Sequence, residues 1–249
     1  MKSKHAYILS CVHGGNKVPK QFNHLFKTPS RKKILQSHHN SFDKGALILA
    51  KNISRKLKLP LFANTNTKFL IDLDCSLHNT AYLFKPDGSD QISKNFTSTE
   101  KEKIIEEIYL PYYQKVEKEI IKQIKVGKII FHLVVHTFTP VLKGKVRHAD
   151  IGLLFNPRRK KEAELCNKWR NVLNEFDKDI KVRLNYPYLG TEDGLTTSLR
   201  KKFGEKYVGL EIEVNQKFPL KKKKEWIRIQ EIIVESLKIL LNTQNTINK

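Results

Sequence analysis

The segment Lys128–His136 constrains this chain more than any other. Ile129, Ile130, Phe131, Leu133, Val134 and Val135 make it almost continuously apolar. A run of this kind offers no polar face to water, and it is far short of the ~20 apolar residues that a membrane helix needs. It predicts a strand covered on both sides, as in the sheet of an α/β protein. Strand and helix patterns alternate around it. Ala6–Val12 is a short strand pattern ending at the turn signal His13-Gly14-Gly15-Asn16. Asp43–Leu57 reads as a helix, with Ala46, Leu49, Ala50, Ile53 and Leu57 on one stripe. Phe69-Leu70-Ile71 reads as a short buried strand, and Pro86–Ser98 as a polar loop. Thr99 and Glu102 fit a capping box ahead of a long helix, with Pro111 placed to kink it. Arg159–Phe176 is helical, Ile180–Leu184 and Tyr207–Val214 are strands, and Trp226–Leu241 closes as a helix. This alternation predicts a single three-layer α/β/α domain over residues 1–249, with a mixed, mostly parallel central sheet.

Composition narrows the function classes. Hydrophobic residues at 39% supply enough material for a core, which excludes wholesale disorder. Cys11, Cys75 and Cys166 are scattered and odd in number, with no CxxC pair, so neither a disulfide framework nor a zinc ribbon is expected. With no stretch that reads as a signal peptide or membrane span, the expectation is a soluble protein of the reducing cytoplasm. The charge is +22, and Phe26–Lys68 alone holds ten Lys/Arg against Asp43. The lysines are spread along the chain and not interleaved with aromatics. A solvated basic surface is therefore preferred over a nucleic-acid groove, and nucleic acid stands as the alternative partner. No membrane partner is expected.

In open α/β sheets, sites gather at the carboxyl ends of the strands. Here those ends carry His13 and Asn16, Asp72 and Asp74, His136, Asn185, and Glu211 with Glu213. Two imidazoles and several carboxylates match the needs of a catalytic zinc, which takes three protein ligands and leaves one position for water. A lone His at a strand end is more often structural, and two glutamates on one strand face are more often solvated. The concurrence of both histidines with the carboxylates is what favours chemistry. Adjacent His38-His39 point two ways and make a poor chelate.

Several strings then resemble one family in order. His13-Gly14-Gly15-Asn16-Lys17-Val18-Pro19, Asp43-Lys44-Gly45-Ala46, His136-Thr137-Phe138-Thr139-Pro140, Arg147 with Asp150-Ile151-Gly152-Leu153-Leu154, Asn185-Tyr186-Pro187-Tyr188 with Gly190, and Gly209 to Gln216 resemble the segments of N-formylglutamate amidohydrolases. The resemblance implies a zinc carboxypeptidase-like (phosphorylase/hydrolase-like) fold, one bound zinc, and hydrolysis of the amide of a small N-acylated amino acid such as N-formylglutamate. Carried over by position, it implies His13 and His136 as metal ligands, with Asn16 a third candidate. It implies Glu211 or Glu213 as general base and Arg147 as a substrate or transition-state anchor. Asp74, His78, Asn185 and Tyr188 are the implied substrate contacts. The partner implied is a small acidic or acylated amino acid.

Two departures stand out. Val12 replaces a Glu that often precedes the first histidine. The family's DLNR segment reads Asp72-Leu73-Asp74-Cys75, which removes a guanidinium and adds a carboxylate. A thiol cannot replace a bidentate anchor, and losing such a contact typically costs about 2.7–4 kcal/mol of barrier. Asp74 can alternatively join the metal as an oxygen ligand. The expected mechanism is direct attack by metal-activated water, since no GxSxG elbow is present. The alternatives are an anion- or nucleic-acid-binding protein on the same fold that has lost catalysis, and an amidase acting on a larger cell-wall peptide.

Overall fold

The computed structural model describes residues 4–37, 41–85 and 92–246. The His38-His39 pair and residues 86–91 of the expected polar loop lie outside the described residues. The strands are β1 (His5–Cys11), β2 (Leu61–Ala63), β3 (Ile129–Phe138), β4 (Val141–Leu142), β5 (Lys145–Val146), β6 (Ile151–Leu154), β7 (Val182–Leu184) and β8 (Tyr207–Asn215). The helices are α1 (Pro29–Ser37), α2 (Ala46–Leu57), α3 (Thr80–Leu83), α4 (Ser98–Ile104), α5 (Leu110–Lys125), α6 (Lys160–Phe176), α7 (Leu195–Phe203), α8 (Lys217–Lys221) and α9 (Lys223–Thr246). The main sheet runs in the order β2-β1-β3-β8-β6-β7, and β4 and β5 form a small separate hairpin. All neighbours in the main sheet are parallel except β6 against β8, so the sheet is mixed and mostly parallel.

Strand alternation sorts the side chains into two layers. Leu9, Leu133, Val135, Leu210 and Ile212 pack with α2, α6 and α9 on one face. Ile8, Ile130, Val134 and Tyr207 pack with α5 and α7 on the other. Both faces of β3 and β8 are therefore covered, and every residue of β8 is buried. The continuous apolar run at Lys128–His136 is explained by this double coverage.

Two local expectations are corrected, and a third takes a specific form. Phe69-Leu70-Ile71 is a buried turn and not the short strand expected, and the strand beside β1 at this edge of the sheet is Leu61–Ala63. The triplet is apolar because it lies beneath the sheet, packed in the same layer as α5. The capping box is Thr97 with Glu100, whose side chain and backbone bonds close reciprocally. Thr99 with Glu102 repeats the spacing two residues later, and only one pair can cap. Ahead of Pro111 the helix widens into a π-turn over Ile105–Tyr109. This accommodates a residue that has no N–H to give the turn below. No helix of the described residues is long and apolar enough to cross a membrane.

Candidate active site

The parallel register fixes the site's geometry. β3 and β8 run side by side so that Val134 faces Glu211 and His136 faces Glu213. The even residues of β8 enter the apolar layer under α9, so Glu211 and Glu213 emerge together on the other face, beside His136. His13 follows β1, one strand further along. The two imidazoles meet with ring centroids 5.3 Å apart. They line a cleft of about 190 Å³ together with Asp43, Asp72, Glu211 and Glu213.

The loops that carry these groups are set by close backbone contact. Gly14 and Gly15 lie against residues 64 and 65, where a Cβ would sit 2.7 Å from the Asn64 carbonyl oxygen and 2.5 Å from that of Thr65. Asp43 is drawn to His13 by its own backbone, since the Asp43 N–H donates to the His13 carbonyl at 2.9 Å. Gly45, at φ 94°, then turns the chain into α2 with no room for a side chain beside Pro219.

Asp43 Oδ2 lies 2.9 Å from His136 Nδ1 and 3.6 Å from His13 Nδ1. Asp72 Oδ1 takes the far side of the His13 ring, 2.7 Å from Nε2. Asp74 Oδ2 lies 3.7 Å from His136 Nε2. A carboxylate behind a ligating imidazole fixes its tautomer and orientation, as the outer partners of metal sites do. With a proton held between His13 Nε2 and Asp72, the His13 Nδ1 lone pair is aimed toward Asp43.

The electrostatics show what the cluster requires. Burial works against a charged His13, but the Asp72 and Asp43 carboxylates outweigh it and raise its pKa to about 9. Burial likewise opposes His136, and Asp43 and Asp74 nevertheless raise it well above the ordinary value. Burial favours a neutral Asp43, yet the two histidines and Lys68 hold it far below the usual carboxylate range. Burial pushes Glu213 up to about 8 and Asp74 up to about 7. The carboxylates thus favour positive charge on the two imidazoles, while burial favours a proton on Glu213 and Asp74.

Among the described residues, the buried cleft atoms left over include two beside the histidine–carboxylate cluster, in addition to Gln216 Oε1. His136 Nε2 and Glu213 Oε2 have no hydrogen-bond partner, which is costly unless something else engages them. His13, Asp43 and His136 each offer an atom within 4.8 Å of the others, and Asp74, His136 and Glu211 do the same. Two imidazoles and a carboxylate make an ordinary donor set for zinc. The residues present therefore fit a divalent metal. Glu211 is differently placed from Glu213, because it accepts a short hydrogen bond from Thr196 Oγ1.

The remaining expected residues divide. Tyr188 lines the cleft. Arg147 lies half-buried at its edge, over the rings of Phe138 and Tyr188, with Nη2 3.4 Å from the Tyr188 hydroxyl. Asn16 does not line the cleft: the backbone after Gly15 is bridged to residues 65–66, and the exposed Asn16 amide donates to the Leu35 carbonyl. His78 is exposed and does not line the cleft. Asn185 also stays outside it. At φ 49° its Oδ1 accepts the N–H groups of Phe155 and Gly190 and so shapes the loop that carries Tyr188. Sequence reading did not single out Asp43, which joins His13 and His136 in a group that could hold a metal ion, nor Glu192 and Asp193 as lining residues.

The fold and the site define a three-layer α/β protein whose polar cleft, lined by imidazoles and carboxylates, lies at the ends of the sheet strands. The chain belongs to the N-formylglutamate amidohydrolase family, whose model matches residues 5–218. A comparison with curated protein sequences finds no match. Among solved structures it is similar to the Agrobacterium tumefaciens gene product Atu2144, at TM-score 0.75 and 22% identity, covering 97% of this chain and 92% of that one. It is also similar to the N-formylglutamate amidohydrolase from Ralstonia eutropha JMP134, at TM-score 0.70 and 18% identity, covering 96% and 94%. At these identities the likeness shows a shared fold.

Proposed function

We propose that this protein is a zinc-dependent amidohydrolase that cleaves the C–N bond of a small N-acylated amino acid or a related amide. The observation that carries the reading is the convergence of both imidazole Nδ1 atoms on Asp43 Oδ2, beside an unpartnered, buried Glu213 oxygen. The reading takes residues 1–249 as one catalytic domain. His13, His136 and Asp43 hold the metal, and Asp72 orients His13 from behind. When bound, the metal supplies Lewis acidity toward the amide carbonyl and makes water available as a nucleophile near neutral pH. Glu213 takes the proton of the attacking water and returns it to the departing nitrogen. Glu211, held by Thr196, keeps its carboxylate beside this exchange. Tyr188, backed by the Arg147 guanidinium, borders the space where the carbonyl oxygen gains charge. The products are a carboxylate and an amine, with no covalent enzyme intermediate.

The test is formate release from N-formyl amino acids by zinc-loaded protein. Turnover is expected to disappear on chelation and return with zinc. Undiminished turnover by chelated, metal-free protein would overturn the proposal.

A further inference from the structure

The groups placed so far meet the amide of an N-acyl amino acid and leave its carboxylate without a partner. Among the described residues that line the cleft there is no arginine, and Lys68 is the one lysine. Apart from the two histidines, the other charged side chains there are carboxylates. A ligand carboxylate laid against Glu192, Asp193 or Glu211 would meet like charge in a partly water-excluded space. Such repulsion is several-fold stronger there than in bulk water.

The Lys68 ammonium is delivered from a pinned loop. The Lys68 N–H donates to the Ser41 carbonyl at 3.2 Å, and Thr67 Oγ1 donates to the same carbonyl at 3.2 Å. The Thr67 N–H donates to the Lys17 carbonyl at 2.9 Å. Ser41 and Thr67 are buried, and the Lys68 side chain is itself only 12% exposed. A packed stem of this kind directs its charged head to the nearest polar space, which here is the cleft. Nζ lies 4.0 Å from Asp43 Oδ1, the oxygen that neither imidazole meets. Burial raises the Tyr188 phenol, and the charges of Arg147 and Lys68 draw it back down. Lys68 thus stands between Asp43 and the ring that borders the reacting carbonyl.

Two other residues that could take this role are turned elsewhere. Arg147 does not line the cleft, and its guanidinium lies over the rings of Phe138 and Tyr188. Cys75, which stands where the resembled segment has arginine, is buried. Its thiol lies against the Ser76 and Asn79 carbonyls and the Asp193 carboxylate.

We infer that Lys68 anchors the carboxylate of the substrate, so that the cleft takes N-acyl amino acids with a free carboxylate in preference to the same compounds without one. The inference rests on the amidohydrolase reading for the amide and on the lining residues for the anchor. An ammonium has three N–H donors, so it can meet a ligand oxygen and keep Asp43 as its neighbour. Because Lys68 adjoins Asp43, a carboxylate held there leaves the acyl end beside the histidines.

The experiment uses the full chain loaded with zinc and two probes that differ only at the carboxylate, N-formylnorleucine and N-formylnorleucine amide. The parent is expected to favour the acid by at least roughly tenfold in kcat/KM, as a charged hydrogen bond supplies. Lys68→Met keeps the stem and removes the charge. It should bring the two probes to within about threefold of each other, with the change in the KM of the acid. Lys68→Arg should keep most of the preference, because its guanidinium also meets a carboxylate. A preference that survives in Lys68→Met, a parent that does not favour the acid, or equal losses on both probes would each overturn the inference. Equal losses are what a role confined to holding Asp43 would give. Calorimetry on Glu213→Gln, with and without Lys68→Met, reads binding of the same probes without turnover. Tighter binding of the acid that Lys68→Met abolishes, with no hydrolysis of either probe by the parent, would sink the hydrolase reading and leave the anchor standing. Hydrolysis of both probes with no preference that depends on Lys68 would sink the anchor alone, and no binding of either probe at millimolar concentration would also overturn it.

Discussion

Replacing Glu213 with Gln should remove activity and, in the metal-free protein, add stability. The side chain is nearly isosteric, so packing on β8 is kept. The carboxyl is raised from 4.5 to about 8, first by burial and then by the neighbouring Asp43, Glu211 and Asp74. A carboxyl whose folded pKa lies above its unfolded value binds more protons when folded. Its ionisation therefore costs stability, progressively, as pH rises from 4.5 toward about 8. At about 1.4 kcal/mol per unit, the full cost by pH 9 is up to about 5 kcal/mol. Gln carries no such cost. Urea denaturation of chelated protein should show the variant and the parent alike at pH 5, with the variant ahead by several kcal/mol at pH 9. A divalent metal beside the carboxylate removes most of the penalty, so the advantage should shrink in loaded protein. Turnover of zinc-loaded Glu213→Gln should fall by about 10²–10⁴, the range for a positioned general base. Activity within a few-fold of the parent, or a stability difference that does not change with pH, would refute the reasoning.

Two further outcomes follow from the same geometry. Asp72→Asn leaves the His13 ring without its charged partner at 2.7 Å, and zinc affinity measured by competition with a chromophoric chelator should drop about 10–100-fold. Arg200→Met removes one of two guanidinium partners of Glu162, a fully buried carboxylate that Arg200 Nε meets at 3.0 Å and Arg159 Nε at 3.1 Å, and leaves the Gly190 and Gly209 carbonyls without this donor. Chemical denaturation should report a loss of about 1–3 kcal/mol, and no loss would contradict the account of that cluster.

Much of the fold was legible because periodicity and burial coincide. The run at Ile129–Val135 has both faces covered, and the alternation of Tyr207–Val214 does separate Glu211 and Glu213 from the apolar layer. His13 and His136 were legible as neighbours because one follows an apolar strand and the other lies near the end of one. Phe69-Leu70-Ile71 misled because burial under a sheet leaves the same mark on three residues as membership of one. Asn16 came from its position in the family resemblance, and the backbone pairing of residues 14–17 with 64–66 leaves it exposed and outside the cleft. Asp43 reaches His13 through a backbone bond across thirty residues, which no spacing rule records. Glu192 and Asp193 lie on the loop between β7 and α7, where no hydrophobic pattern reports which way a side chain faces.

The central claim is that His13, Asp43 and His136 form a metal centre. Elemental mass spectrometry on protein purified without added metal or chelator tests it most directly. About one zinc per chain is predicted for the parent, as a three-ligand site requires, with a clear loss in Asp43→Asn. A parent chain that carries no metal and takes up none when zinc is supplied would contradict the account, as would an Asp43→Asn variant that binds zinc unchanged.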